Sequence, residues 1–152
     1  MEIISFFEKQ RKSNAEIVID STLSDYKTWA RKHLELHTKL SSLAEETKCY
    51  KYWVSEKDVE VNKSVIFEKY LECFSLIINI GIDKHYDNIE DVVLKPNDYC
   101  LSDQFLNLFI DLNDLIISPS DDHYITLIED FLSLGITLDY SEKKIKDSFI
   151  SK

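Results

Sequence analysis

A chain of 152 residues with 44% hydrophobic and 12% aromatic side chains holds enough apolar material for a packed core and too much for disorder. Its net charge of -10 opposes a phosphate backbone, which sets nucleic-acid binding aside as a main activity; an anionic ligand needs a local cluster of basic groups or a bound cation. Two glycines and two prolines are too few for the turns of an all-β sandwich, so long helices are expected.

Taken in chain order, the apolar spacing predicts six helices in one domain spanning residues 1–152. The first covers about 2–18, with Ile3, Phe6, Phe7 and Ile17 on one side and Gln10 and Asn14 continuing it. Asp20 to Ser24 reads as a turn, with Ser24 as N-cap of a second helix that runs to about Cys49. Its apolar stripe is Tyr26, Trp29, Ala30, His33, Leu36, Leu40, Leu43, Ala44 and Thr47, at i+3 and i+4 steps. A charged loop, Ser55 to Lys63, precedes a third helix from Val65 to Ile80. That helix is apolar on most sides, which predicts a central position, and Gly81 stands where a C-cap glycine belongs. Residues 82–100 form a long connection. Helix four runs from an N-cap at Ser102 to Ile117, helix five from after Ser120 to Gly135, and helix six from Ser141 to the end. No internal repeat is evident.

Cys49, Cys73 and Cys100 are odd in number and lack C-x-x-C spacing, so neither a disulfide framework nor a zinc site is indicated. The start, Met1-Glu2-Ile3-Ile4, lacks the basic region of a signal peptide, and apolar runs such as Leu76 to Ile80 are too short to cross a bilayer. A cytoplasmic, reducing setting is expected, with no membrane partner.

Two blocks carry a family resemblance. Leu40-Ser-Ser-Leu-Ala-Glu-Glu-Thr-Lys-Cys-Tyr-Lys-Tyr-Trp53 resembles the signature helix of the dimeric dUTPases, which reads Glu-Leu-Gly-Glu-Leu-Ala-Asn-Glu and then Thr-Arg-Cys-Phe-Lys-Tyr-Trp. Phe67-Glu-Lys-Tyr-Leu-Glu-Cys-Phe-Ser-Leu-Ile-Ile-Asn-Ile-Gly81 is similar to that family's Leu-Glu-Glu-Tyr-Val-Asp-Gly-Leu-His-Phe-Ile-Leu-Ser-Leu-Gly. Phe7-Glu-Lys-Gln10 resembles its first helix, and Phe131-Leu-Ser-Leu-Gly135 through Ser141 and Phe149 its closing helices, so the likeness spans nearly the whole chain in order.

The resemblance implies an all-α nucleoside triphosphate pyrophosphatase fold, a homodimer, and magnesium-dependent cleavage of dUTP to dUMP and pyrophosphate. Magnesium is hard and octahedral, and this chemistry needs carboxylates converging from two helices. Carried over one by one, the family's ligand positions fall on Lys39 and Ser42 of helix two and on Lys69 and Glu72 of helix three. Only Glu72 is a carboxylate, and a lysine ammonium, a donor with no lone pair to offer, cannot ligate a metal. Glu46, the third acid of the family's helix, is kept. Family members continue past the position of Phe149 with groups that handle the phosphates; this sequence runs to Lys152, so most of that clamp is expected to be missing from it.

Two readings follow. The preferred one is a dUTPase-like protein that has lost hydrolysis and acts by binding a deoxyuridine nucleotide or a protein partner. The other is an active magnesium-dependent dUTP or dUDP diphosphatase whose site has shifted onto Glu35, Glu46, Glu68 and Glu72. Surface ion pairs of the lysines with Glu46, Glu68 and Glu72 outweigh an anion pocket made by Lys39, Lys51 and Lys69. Gln10 matches a base-reading amide, and Lys51 and Trp53 are candidate nucleotide contacts. His33 and His37 have the i, i+4 spacing of a zinc pair but no third ligand, so they read as helix packing. Ser41 and Ser42 have no adjacent base or glycine turn, so a nucleophilic serine is rejected. The broadly apolar third helix and the aromatics Tyr50, Tyr52, Trp53, Phe105 and Phe109, expected at the protomer surface, are consistent with a subunit interface buried in a homodimer.

Overall fold

The computed structural model describes residues 1–152 and contains six helices and no strand: α1 (Ile4–Asn14), α2 (Asp25–Thr47), α3 (Lys63–Asp83), α4 (Leu101–Ile117), α5 (Asp121–Thr137) and α6 (Glu142–Ile150). Side-chain caps start four of them. Ser24 accepts from the Lys27 N–H at 3.1 Å, Asn62 from Val65 at 3.3 Å, Ser120 from His123 at 3.1 Å and Ser141 from Lys144 at 3.1 Å. Each satisfies an amide that the first helical turn leaves without a backbone partner.

α2 and α3 form one antiparallel hairpin, and α4 and α5 form another. The hairpins pack through α2 on α4 and α3 on α5, while α1 lies against α3 and α6. α3 therefore touches α1, α2 and α5, the central place its broad apolar surface predicts. Phe6 of α1 meets Phe74 and Phe149 edge-on, joining α1, α3 and α6 in the same core.

Helix ends depart from the sequence pattern for identifiable reasons. α1 covers 4–14 rather than 2–18, because the chain on either side is used differently. Ile3 N–H donates to the Glu90 carbonyl and Val92 N–H to the Met1 carbonyl, so the first residues pair with the long connection. Ile17, expected on the buried side, is 56% exposed in a β-branched run (Ile17, Val18, Ile19) that disfavours helix. α2 stops at Thr47, where Lys48 turns left-handed (φ 56°), and Tyr26 of its expected stripe is exposed. α3 begins two residues earlier than Val65 because Asn62 caps it, and α4 begins at Leu101 with Cys100, not Ser102, in the N-cap position. Phe105 is buried and Phe109 half-buried, so neither is the exposed interface aromatic expected.

Neither glycine is a cap. α3 continues past Gly81 to Asp83 and α5 past Gly135 to Thr137, and both glycines are buried. A Cβ at Gly81 would fall onto the Tyr124 hydroxyl, and one at Gly135 onto the Tyr70 hydroxyl. Tyr124 Oη donates to the Ile77 carbonyl at 2.8 Å, and Tyr70 Oη donates to the Phe131 carbonyl at 3.1 Å. The two pairs are reciprocal across one antiparallel helix contact.

That reciprocity belongs to an internal repeat. Tyr70, Gly81, His85 and Tyr86 correspond at one constant offset to Tyr124, Gly135, Asp139 and Tyr140. His85 and Asp139 both take positive φ (59° and 66°), and Tyr86 and Tyr140 each donate a backbone N–H to their own glycine's carbonyl at 2.8 Å. A second constant offset carries buried His33, Leu36, Leu40 and Leu43 of α2 onto buried Phe105, Leu108, Leu112 and Leu115 of α4. The expectation of no repeat is corrected at these packing positions: α2 corresponds to α4 and α3 to α5, each pair at its own constant offset.

Candidate functional site

The outward polar face of the α2–α3 hairpin brings together the four positions singled out in the sequence. Lys39 Nζ lies 3.1 Å from Glu72 Oε1. Lys69 Nζ lies 3.1 Å from Glu46 Oε2 and donates to Ser42 Oγ at 3.0 Å. The spacing explains the pairing: residues 39, 42 and 46 lie on one face of α2 at i+3 and i+4 steps, and 69 and 72 on one face of α3. Antiparallel packing then sets the ends of one row against the ends of the other. Hydrogen bonding to the Glu72 carboxylate, reinforced by its charge, holds the Lys39 ammonium above the usual lysine range.

These donors do not fit magnesium. The site offers two carboxylates, one hydroxyl and two ammoniums, and each carboxylate already has an ammonium on it. A dication would have to displace both lysines or sit beside them; at an effective dielectric near 20, one unit charge repels another 4 Å away by about 4 kcal/mol. No group of three His, Cys, Asp or Glu side chains that could hold a metal ion is formed in the structure, Glu35 and Glu68 included.

Beside this face lies a cavity of about 730 Å³, between α1, α3 and the C-terminal residues. Lys9, Lys69 and Lys152 supply cations to its wall, Glu68 and Glu72 anions, and Gln10, Ser13 and Ser75 neutral polar groups. Gln10 is buried at its inner end and anchored on both sides: its Oε1 accepts from Ser75 Oγ at 2.6 Å, and its Nε2 donates to Asn14 Oδ1 at 2.9 Å. Asn14 Nδ2 donates in turn to Asn79 Oδ1 at 2.8 Å. Such a chain fixes the plane of the Gln10 amide, which leaves one N–H and one lone pair for a ligand.

The other two candidate nucleotide contacts lie elsewhere. Lys51 lines a separate cavity with Thr47, Val59 and Leu101. Trp53 is 62% exposed and packs edge-on against Tyr50 and Tyr52. Gln10, Lys51 and Trp53 therefore do not converge, and Lys51 does not join Lys39 and Lys69 in one basic pocket. His33 is buried against Trp29, and desolvation, with the nearby His37 charge, pushes it down to about 4, so it is a neutral packing residue. His37 Nδ1 sits 2.9 Å from the His33 carbonyl.

Lys9, Ser75 and Asn79 join the Gln10 cavity and its hydrogen-bonded chain from outside the candidate set. The visible signal was a pair of polar notches at helical spacing, Gln10 and Asn14 on α1 and Ser75 and Asn79 on α3, each interrupting an apolar face. Lys152 gave none.

A family model described as dUTPase matches residues 2–152 of the chain. No curated protein and no solved structure matches it.

Proposed function

The chain belongs to the dUTPase family, and on that premise we propose that it acts by binding and not by magnesium-dependent hydrolysis. One observation carries the reading: the lysines at the family's carboxylate positions pair with the carboxylates that remain, Lys39 with Glu72 and Lys69 with Glu46. The ligand we favour is a deoxyuridine nucleotide in the cavity beside these pairs, with the fixed Gln10 amide toward the base and Lys9, Lys69 and Lys152 toward phosphate. A protein partner is the other ligand class this reading allows. A cytoplasmic homodimer is part of the same proposal, supported by exposed apolar side chains on α2 and α4 (Leu34, Leu106, Ile110, Ile117). No helix is long and apolar enough to cross a membrane.

The test has two arms. Incubation with dUTP and magnesium is expected to release no dUMP or pyrophosphate above a protein-free blank. Thermal melting with dUMP or dUTP in chelator is expected to shift upward, since a ligand of the native state stabilises it by about 2.7 kcal/mol at a hundred times its Kd. Turnover that disappears in Glu72→Ala would favour instead the active diphosphatase with carboxylates from Glu35, Glu46, Glu68 and Glu72.

A further inference from the structure

The polar side chains between α1 and α3 form a ladder with a direction. Gln10 and Asn14 stand one turn apart on α1, and Ser75 and Asn79 one turn apart on α3, so each pair shares a helix face. Ser75 Oγ donates to Gln10 Oε1 at 2.6 Å, Gln10 Nε2 to Asn14 Oδ1 at 2.9 Å, and Asn14 Nδ2 to Asn79 Oδ1 at 2.8 Å. Every donor points the same way, from Ser75 toward Asn79. Asn14 turned over alone would set N–H against N–H at Gln10 and oxygen against oxygen at Asn79. Gln10 turned over alone would face its oxygen to the Asn14 oxygen. All four groups are at least half-buried, and a partly buried polar group left unpaired costs more than a hydrogen bond contributes. The amides therefore reverse together or not at all. The Ser75 hydroxyl can give or take a hydrogen bond, so it follows either direction. Asn79, the acceptor on which the ladder ends, sets it.

The direction matters at Gln10, which is 7% exposed and lines the inner end of the cavity between α1 and α3. Its second N–H and its second oxygen lone pair are what it can present to a ligand, and reversing the ladder exchanges their places. A uracil base offers a ring N–H beside a carbonyl. Cytosine offers a bare ring nitrogen beside an amino group, which is the opposite order. An amide held one way suits one of these edges and leaves unpaired groups against the other. On the nucleotide reading above, we propose that Asn79, acting through Asn14, is a positioning residue that holds the Gln10 amide in the direction selecting uracil over cytosine.

The full chain in chelator is titrated calorimetrically with dUMP and with dCMP. The two carry the same sugar and phosphate, so their affinity ratio reports the base alone. The unaltered chain should prefer dUMP by at least about tenfold, the scale set by a buried group left without its partner. Asn79→Leu and Asn79→Ala remove the acceptor and free the direction, and each should bring the ratio close to unity. Asn79→Asp, an acceptor only, should keep the preference for dUMP; its added charge acts on both nucleotides and cancels in the ratio. Ser75→Ala should keep the preference too, because Gln10 still donates to Asn14. Melting without ligand checks that each variant folds. A purely structural role for Asn79 would weaken both nucleotides together and leave the ratio unchanged in Asn79→Leu and Asn79→Ala, which would overturn the inference while the nucleotide reading stands. A preference lost in both and not kept by Asn79→Asp would sink it as well, as would equal affinity of the unaltered chain for dUMP and dCMP. If the unaltered chain binds neither nucleotide, the nucleotide reading itself falls, and the role of Asn79 with it.

Discussion

Tyr124 of α5 places its hydroxyl in the space that a side chain at Gly81 of α3 would need, and spends that hydroxyl on the Ile77 carbonyl at 2.8 Å. Tyr70 treats Gly135 in the same way from the opposite helix. The chain's two glycines are therefore the two points where α3 and α5 come closest to each other's tyrosines.

Gly81→Ala and Gly135→Ala should each destabilise the protein. Alanine gains about 0.8–1.0 kcal/mol of helix propensity over glycine, but forcing a methyl into a filled core costs about 1–3 kcal/mol, and here the obstacle is a buried, hydrogen-bonded phenol. The overlap should win. Urea midpoints would show it, and Tyr124→Phe combined with Gly81→Ala should be clearly non-additive because the two side chains share one space.

The four side-chain caps act on separate helix ends. Ser24→Ala and Ser120→Ala should each lower stability by about 1 kcal/mol, and the double variant by close to the sum, since distant sites add. Denaturant titration at one pH would measure all three.

Much of the fold was legible because such local signals are strong. Ser24, Ser120 and Ser141 mark helix starts by their own chemistry, and scarce glycine and proline leave the intervening stretches unbroken. What the sequence hid is long-range. Gly81 and Gly135 stand where caps belong by local rules, and only the facing tyrosines explain why they lie inside helices. Ile17 extends the α1 stripe on paper, yet the chain leaves the helix before reaching it. At the candidate site, helical spacing predicts that Lys39, Ser42, Lys69 and Glu72 share one face. The positions of Lys51 and Trp53 depend on the path of the loop after Thr47, which no periodicity encodes.

Stability should also carry a pH signature from the α4–α5 contact. Desolvation, reinforced by Asp130, raises the Asp111 carboxyl from an ordinary value of 3.8 to about 8 in the folded chain. Between those values the native state binds the proton and the unfolded state has released it. The stabilising contribution is therefore complete below about pH 4 and is lost as pH rises through about 8. In chelator, Tm should fall over that window, and Asp111→Asn should flatten the fall. A slope of unchanged size in Asp111→Asn would assign the effect to other groups.

Restoring carboxylates should restore metal binding at the first hairpin. Lys39→Glu, Ser42→Glu and Lys69→Glu together would set Glu46, Glu72 and three new acids on facing helices, with no ammonium to displace. Isothermal titration should then detect magnesium in the variant that is lost again on Glu72→Gln. The unaltered chain, titrated alongside, supplies the baseline that isolates the restored set.

Lysines stand where a dication would need oxygen. Pyrophosphate release from dUTP in saturating magnesium, measured for the unaltered chain beside the triple variant Lys39→Glu, Ser42→Glu, Lys69→Glu, decides whether they abolish hydrolysis. No release is expected from the unaltered chain, while dUMP still raises its Tm. Magnesium-dependent formation of dUMP by the unaltered chain, abolished by Glu72→Ala, would contradict that expectation.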